Sequence, residues 1–122
     1  MKKIAIIEDL KSVNDVLREV IQLEFDGVEV LQFYDIPEDI NELTEADILI
    51  LDCNLPSGFI CDSDCFKKCD KPKILITGDI TFKCNLNNCV MLYKPFTAKD
   101  IISIINNIMN GDIRKAKGVL HA

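Results

Sequence analysis

Histidine is almost missing from this chain: among 122 residues only His121 is present, next to the C-terminus. That scarcity leaves no Ser-His-Asp or Cys-His arrangement and no histidine cage for a metal. If phosphohistidine enters the chemistry, it must belong to a partner. An excess of basic residues is missing too. With 14 Lys and Arg against 20 Asp and Glu, the formal net charge is -6, which argues against a nucleic-acid or anionic-membrane surface. No run approaches the ~20 apolar residues that a membrane helix needs. The opening Met-Lys-Lys-Ile leads straight to an Asp-containing turn and does not read as a signal peptide. The expectation is a cytoplasmic protein that contacts neither nucleic acid nor membrane. Paired CxxC spacing is also lacking. Reduced thiols are the default for the six cysteines of such a chain. Cys61, Cys65 and Cys69 stand at C-x₃-C-x₃-C, one face if that segment is helical, while Cys84 and Cys89 flank a later helical region and Cys53 abuts Asp52. Two readings stay open for them: small buried hydrophobes with adventitious surface thiols, or a metal or redox site. Repeats, low-complexity stretches and linkers are absent, so residues 1–122 read as one domain.

The composition present is that of a folded globular domain, 48% apolar and 28% charged. Four short aliphatic runs stand out: Ile4-Ala5-Ile6-Ile7, Ile48-Leu49-Ile50-Leu51, Ile74-Leu75-Ile76 and Val90-Met91-Leu92-Tyr93. Continuous runs of this kind are expected of strands buried on both faces of a parallel sheet. The stretch 28–33 alternates more and reads as a strand nearer the edge. Between the strands, Val13, Val16, Leu17, Val20 and Ile21 follow the spacing of a buried helical stripe. Ile101, Ile104, Ile105 and Ile108 repeat it, behind a capping box formed by Thr97 and Asp100. The segments 37–43, 59–69 and 80–86 are shorter helical candidates. Strand and helix alternate five times, which predicts a three-layer, doubly wound α/β domain with right-handed crossovers.

In such sheets ligands bind beyond the carboxyl ends of the strands. The first strand ends in Glu8-Asp9, the third in Asp52 with Cys53, Asn54, Leu55, Pro56 and Gly58 following, the fourth in Thr77-Gly78, and the fifth in Lys94-Pro95-Phe96. Each is an ordinary turn or cap residue when taken alone. Together they converge on one sheet edge. Three crowded carboxylates repel unless a cation sits among them, and Mg²⁺ is the small hard cation that prefers such oxygen ligands. A lysine opposite the metal supplies a second positive pole, so a phosphoryl group between the two is neutralised on both sides. An aspartate carboxylate is a competent nucleophile for such a group. The Thr77 hydroxyl and the Gly78 backbone N–H would donate to its remaining oxygens.

These residues, in this order, resemble the receiver domain of two-component response regulators over essentially the whole chain. The resemblance implies a stand-alone, chemotaxis-receiver-like domain: a five-stranded parallel sheet of flavodoxin-like order 2-1-3-4-5. It implies Asp52 as the phosphoacceptor, Asp9 as the direct Mg²⁺ ligand, Glu8 as its water-mediated companion, and the Asn54 backbone carbonyl as a further ligand. Thr77 matches the switch hydroxyl. Lys94 matches the lysine before a proline, Pro95, expected to be cis. Asn54 and Asp79 occupy positions that tune autodephosphorylation. The phosphoryl donor would be a histidine kinase or phosphotransfer protein, or a small donor such as acetyl phosphate, and the readout would be contact with a downstream protein. Catalysis would be limited to self-phosphorylation and autodephosphorylation. Two departures are visible. Met91 stands where an aromatic switch residue is usual, and the intervals from Asp52 to Thr77 and from Thr77 to Lys94 are short, so the third and fourth helices should be abbreviated or irregular. After the last helix only a basic tail, 114–117, is expected, with no output domain. The rival reading is a pseudo-receiver: an interaction module, thiol- or redox-responsive, that is not phosphorylated. An Asp-nucleophile phosphatase is disfavoured because Asn54 stands where its second carboxylate is required.

Overall fold

The computed structural model of the chain describes residues 2–111; the basic tail and His121 lie outside the described residues. Five strands form one parallel sheet: β1 (Lys2–Ile7), β2 (Val28–Phe33), β3 (Ile48–Asp52), β6 (Lys73–Thr77) and β7 (Cys89–Tyr93). Their spatial order is β2-β1-β3-β6-β7. The expected order 2-1-3-4-5 is therefore present, with a small antiparallel hairpin, β4 (Asn54–Leu55) and β5 (Gly58–Phe59), inserted directly after β3. Register is continuous across the sheet, from Ile4 opposite both Val30 and Ile48 to Asp52 opposite Ile76 and Thr77 opposite Tyr93.

The two-residue period of each strand divides the core. Ile4, Ile6, Ile48, Ile50, Ile74, Ile76, Val90 and Leu92 face one side and pack on Leu17 and Ile21 of α1 (Lys11–Glu24) and on Ile101, Ile104, Ile105 and Ile108 of α3 (Ala98–Met109). The capping box is present: the Asp100 N–H donates to Thr97 Oγ1 at 3.2 Å, and the Thr97 N–H donates to Asp100 Oδ2 at 2.9 Å. The α1 stripe needs one correction. Its buried row is Asn14, Leu17 and Ile21, so Val16 turns to solvent and is 59% exposed.

The other face carries Ala5, Ile7, Leu49, Leu51, Leu75 and Cys89, covered by Leu43, Leu55, Ile60, Phe66 and Leu86. Its cover is thin. Between β2 and β3 there is only a 3-10 turn, Ile40–Leu43, and after the hairpin a second, Ile60–Asp62, leads into the single-turn helix α2 (Asp64–Lys67). The third helix is abbreviated as expected; the second is shortened as well. Among the described residues no helix stands between β6 and β7. There Phe82, Cys84 and Leu86 turn inward while Thr81, Lys83, Asn85 and Asn87 are exposed. That period of two belongs to extended chain. The Asp79 carboxylate reinforces it by accepting from the Thr81 N–H at 2.9 Å and the Thr81 hydroxyl at 2.6 Å, a side-chain turn that competes with helix initiation. Among the described residues no helix is long and apolar enough to cross a membrane.

Candidate functional site

Three strands deliver carboxylates and a lysine to the same sheet edge. β1 and β3 are adjacent and parallel, so Glu8-Asp9 and Asp52 leave the sheet side by side. Ligand atoms of Glu8, Asp9 and Asp52 all lie within 4.8 Å of one another. β7 brings Lys94, whose Nζ stands 3.9 Å from Asp52 Oδ1. Asp52 is mostly buried and Lys94 more open, with side-chain exposures of 13% and 40%. The Lys94–Pro95 peptide is cis. The four residues that sequence reasoning required to meet do meet.

Glu8 has the most perturbed environment of the three acids. It is 3% exposed, and its Oε2 is buried without a hydrogen-bond partner. Burial first, then the Asp52 carboxylate beside it, raise its pKa from the ordinary 4.5 to about 8, with Lys94 opposing. A carboxylate in that position is costly without a positive partner. The orphaned oxygen, the close-set oxygen-only donors and the exposed Asp9 fit a small hard cation. Glu8, Asp9 and Asp52 are the side chains that could hold it.

Thr77 ends β6 on the same edge and is 5% exposed. Its hydroxyl accepts from the Asp79 N–H at 3.2 Å, while its carbonyl accepts from the Lys94 N–H at 2.8 Å. A Cβ built on Gly78 would meet nothing within 4 Å, so the chain's own packing does not demand glycine there. Asn54 is exposed and opens the hairpin, paired with Phe59. Asp79 is committed to the Thr81 turn, and those hydrogen bonds hold its pKa below the ordinary carboxylate value. Met91 is half-buried on the thinly covered face. Tyr93, on the same face, donates its hydroxyl to the Phe82 carbonyl at 3.0 Å.

Solved structures share this architecture. A response-regulator receiver domain protein from Methanospirillum hungatei matches with a TM-score of 0.73 at 17% identity, over 94% of this chain and 98% of that one. A two-component response regulator from Clostridium difficile matches with a TM-score of 0.72 at 17% identity, over 90% and 97%. A response-regulator receiver domain protein from Clostridium thermocellum gives 0.71 at 23%, over 90% and 95%. The chain has the fold of a response-regulator receiver domain. No family model matches the sequence, and no curated protein matches it either. The acidic residues and the lysine gather at the switch point of this sheet.

Sequence reasoning missed Asn14, which is fully buried. Its amide donates to the carbonyls of Glu8 and Phe33, each at 3.0 Å, and its Oδ1 accepts from Gln32 Nε2 at 2.9 Å. It ties the ends of β1 and β2 to α1 and so fixes the backbone that presents Glu8. The signal was a polar residue in register with Leu17 and Ile21, at i, i+3, i+7.

Proposed function

We propose that this chain is a phosphorylation-dependent signalling switch of the two-component type, with Asp52 as the phosphoacceptor. The observation that carries the reading is the meeting of Glu8, Asp9 and Asp52 within 4.8 Å with Lys94 at 3.9 Å from Asp52. An Asp52 carboxylate oxygen attacks the phosphorus of a phosphohistidine or an acyl phosphate. The P–N or P–O bond to the leaving group breaks, and an aspartyl phosphate remains. Mg²⁺ bound by Asp9, Asp52 and the Asn54 carbonyl, with Glu8 as an outer partner, would neutralise charge on the phosphoryl oxygens. Lys94 supplies positive charge from the opposite side. The Thr77 hydroxyl and Gly78 N–H lie at the end of the neighbouring strand as donors for the remaining oxygens. Engaging a phosphoryl group would draw Thr77 from the Asp79 N–H, and so disturb the start of segment 80–88. Asn54 and Asp79 would tune hydrolysis, although Asp79 must first leave Thr81. Met91 couples more loosely to this change than an aromatic residue would.

In this reading the partners are a histidine kinase or phosphotransfer protein and a downstream protein that recognises the altered surface, all in the cytoplasm. Residues 1–122 form one receiver unit whose own catalysis is limited to gaining and losing the phosphoryl group. Beryllofluoride binding measured by fluorine NMR tests it. Binding should require Mg²⁺, vanish in Asp52→Ala, and weaken by about 10- to 100-fold in Lys94→Ala, the loss of a hydrogen bond to a charged group worth about 1.5–3 kcal/mol. Absence of binding, together with a conformational response to oxidant alone, would favour a pseudo-receiver.

A further inference from the structure

The thinly covered face holds a second group of reactive side chains that the phosphoacceptor site does not use. The Sγ atoms of Cys61 and Cys84 stand 3.8 Å apart, although 23 positions separate them in sequence. Cys61 is buried in the 3-10 turn after the hairpin, and Cys84 is half-buried in the extended segment between β6 and β7. The two cysteines therefore join the two irregular pieces that cover this face.

The surroundings of the two sulfurs differ. Cys84 Sγ accepts from the Leu86 N–H at 3.3 Å, and Cys89 and Lys73 in its surroundings favour its negative charge. Lys73 is itself fully buried. Cys61 is pushed the other way, first by burial and then by the neighbouring Cys84 sulfur, with Cys53 and Asp62 adding to it. Filling space as a small hydrophobe accounts for Cys53 and Cys89, which are buried. Packing alone does not account for the Cys84 sulfur, which also meets the Leu86 N–H and the Cys61 sulfur.

We propose that Cys61 and Cys84 are a peroxide-responsive dithiol pair, whose disulfide pins segment 80–88 to the turn that follows the hairpin. Cys84 is the attacking sulfur. Its thiolate takes one oxygen of hydrogen peroxide, the O–O bond breaks, and the departing hydroxide is protonated to water, leaving a sulfenic acid. Cys61 sulfur then attacks the Cys84 sulfur. The S–O bond breaks and the hydroxyl leaves as water with the Cys61 proton. The pair loses two electrons and the peroxide gains them. The Cys89 thiol first, then the Leu86 N–H and the Lys73 charge, hold the Cys84 pKa below the ordinary thiol value, whereas burial pushes that of Cys61 up, so Cys84 is the more readily ionised sulfur. The sulfurs must close from 3.8 Å to the ~2.05 Å of a disulfide.

This inference does not rest on Asp52 as a phosphoacceptor, so the test includes Asp52→Asn. The full chain, reduced and then exposed to hydrogen peroxide, is alkylated, digested without reductant and mapped by mass spectrometry. A cross-linked peptide pair joining Cys61 to Cys84 is expected in the wild type and in Asp52→Asn alike, reversed by dithiothreitol. Cys84→Ser should abolish it, and Cys61→Ser should leave a sulfenic acid on Cys84 that dimedone traps. Slower amide exchange across 80–88 should accompany oxidation. A Cys84–Cys89 link, disulfide-joined dimers, or full alkylation of all thiols after peroxide would each overturn the proposal.

Discussion

Glu8 shows how one side chain reports on the acidic site. It is buried, one oxygen has no partner, and its pKa is raised to about 8 from 4.5. Between those values the folded chain keeps a proton that the unfolded chain has released. Stability of the metal-free protein must then fall as pH rises from about 4.5 towards 8 and level off above. Urea unfolding in the presence of a chelator should show that decline, and Glu8→Gln should flatten it in the same window. An unchanged slope in Glu8→Gln would assign the pH dependence elsewhere. The identities of Glu8, Asp9, Asp52, Thr77 and Lys94 were legible because each ends an aliphatic run. Asn14 was not, because its importance lies in two backbone carbonyls that only the folded chain brings to it. Nor could linear spacing disclose that Cys61 faces Cys84; it suggested a Cys61, Cys65, Cys69 stripe, which needs a longer helix than α2 provides.

At the scale of elements, segment 80–88 and helix α3 make opposite cases. The α3 pattern was readable to the residue, since the Thr97–Asp100 capping box and four isoleucines agree on start and face. Thr97→Ala removes the cap and should cost about 1 kcal/mol, read as a lowered Tm with the fold retained. No change in Tm would mean that the box contributes nothing. The 80–88 segment reads as an abbreviated helix only if the alternation of Phe82, Cys84 and Leu86 is overlooked. Its far end is held by the buried Lys73, whose ammonium donates to the carbonyls of Lys71 and Asn87, each at 2.9 Å, and to that of Cys69. Burial pushes the Lys73 pKa down, yet three carbonyls depend on it. Lys73→Met should destabilise the chain by roughly 1–3 kcal/mol by leaving those acceptors unpaired, and should raise amide exchange at 86–89 first. A neutral or stabilising result would show that the carbonyls find water instead.

The molecule as a whole is a sheet with unequal sides. One face is sealed by α1 and α3 over a continuous isoleucine core; the other is closed by turns, a hairpin and extended chain. The layer arrangement was readable because continuous aliphatic strands separated by helical patterns admit few topologies, while the strand order came with the family resemblance. The uneven cover was not, because short segments carry weak periodicity and tertiary burial decides their shape. Both faces meet at the carboxyl edge of the sheet, where Glu8, Asp9, Asp52 and Lys94 gather around one point. The proposed phosphoryl transfer takes place at that point, on Asp52. Intact mass after incubation with acetyl phosphate and Mg²⁺ measures it directly. A gain of a single phosphoryl unit in the wild type, absent in Asp52→Asn and absent without Mg²⁺, is the expected result. An unchanged wild-type mass, or the same gain in Asp52→Asn, would contradict it.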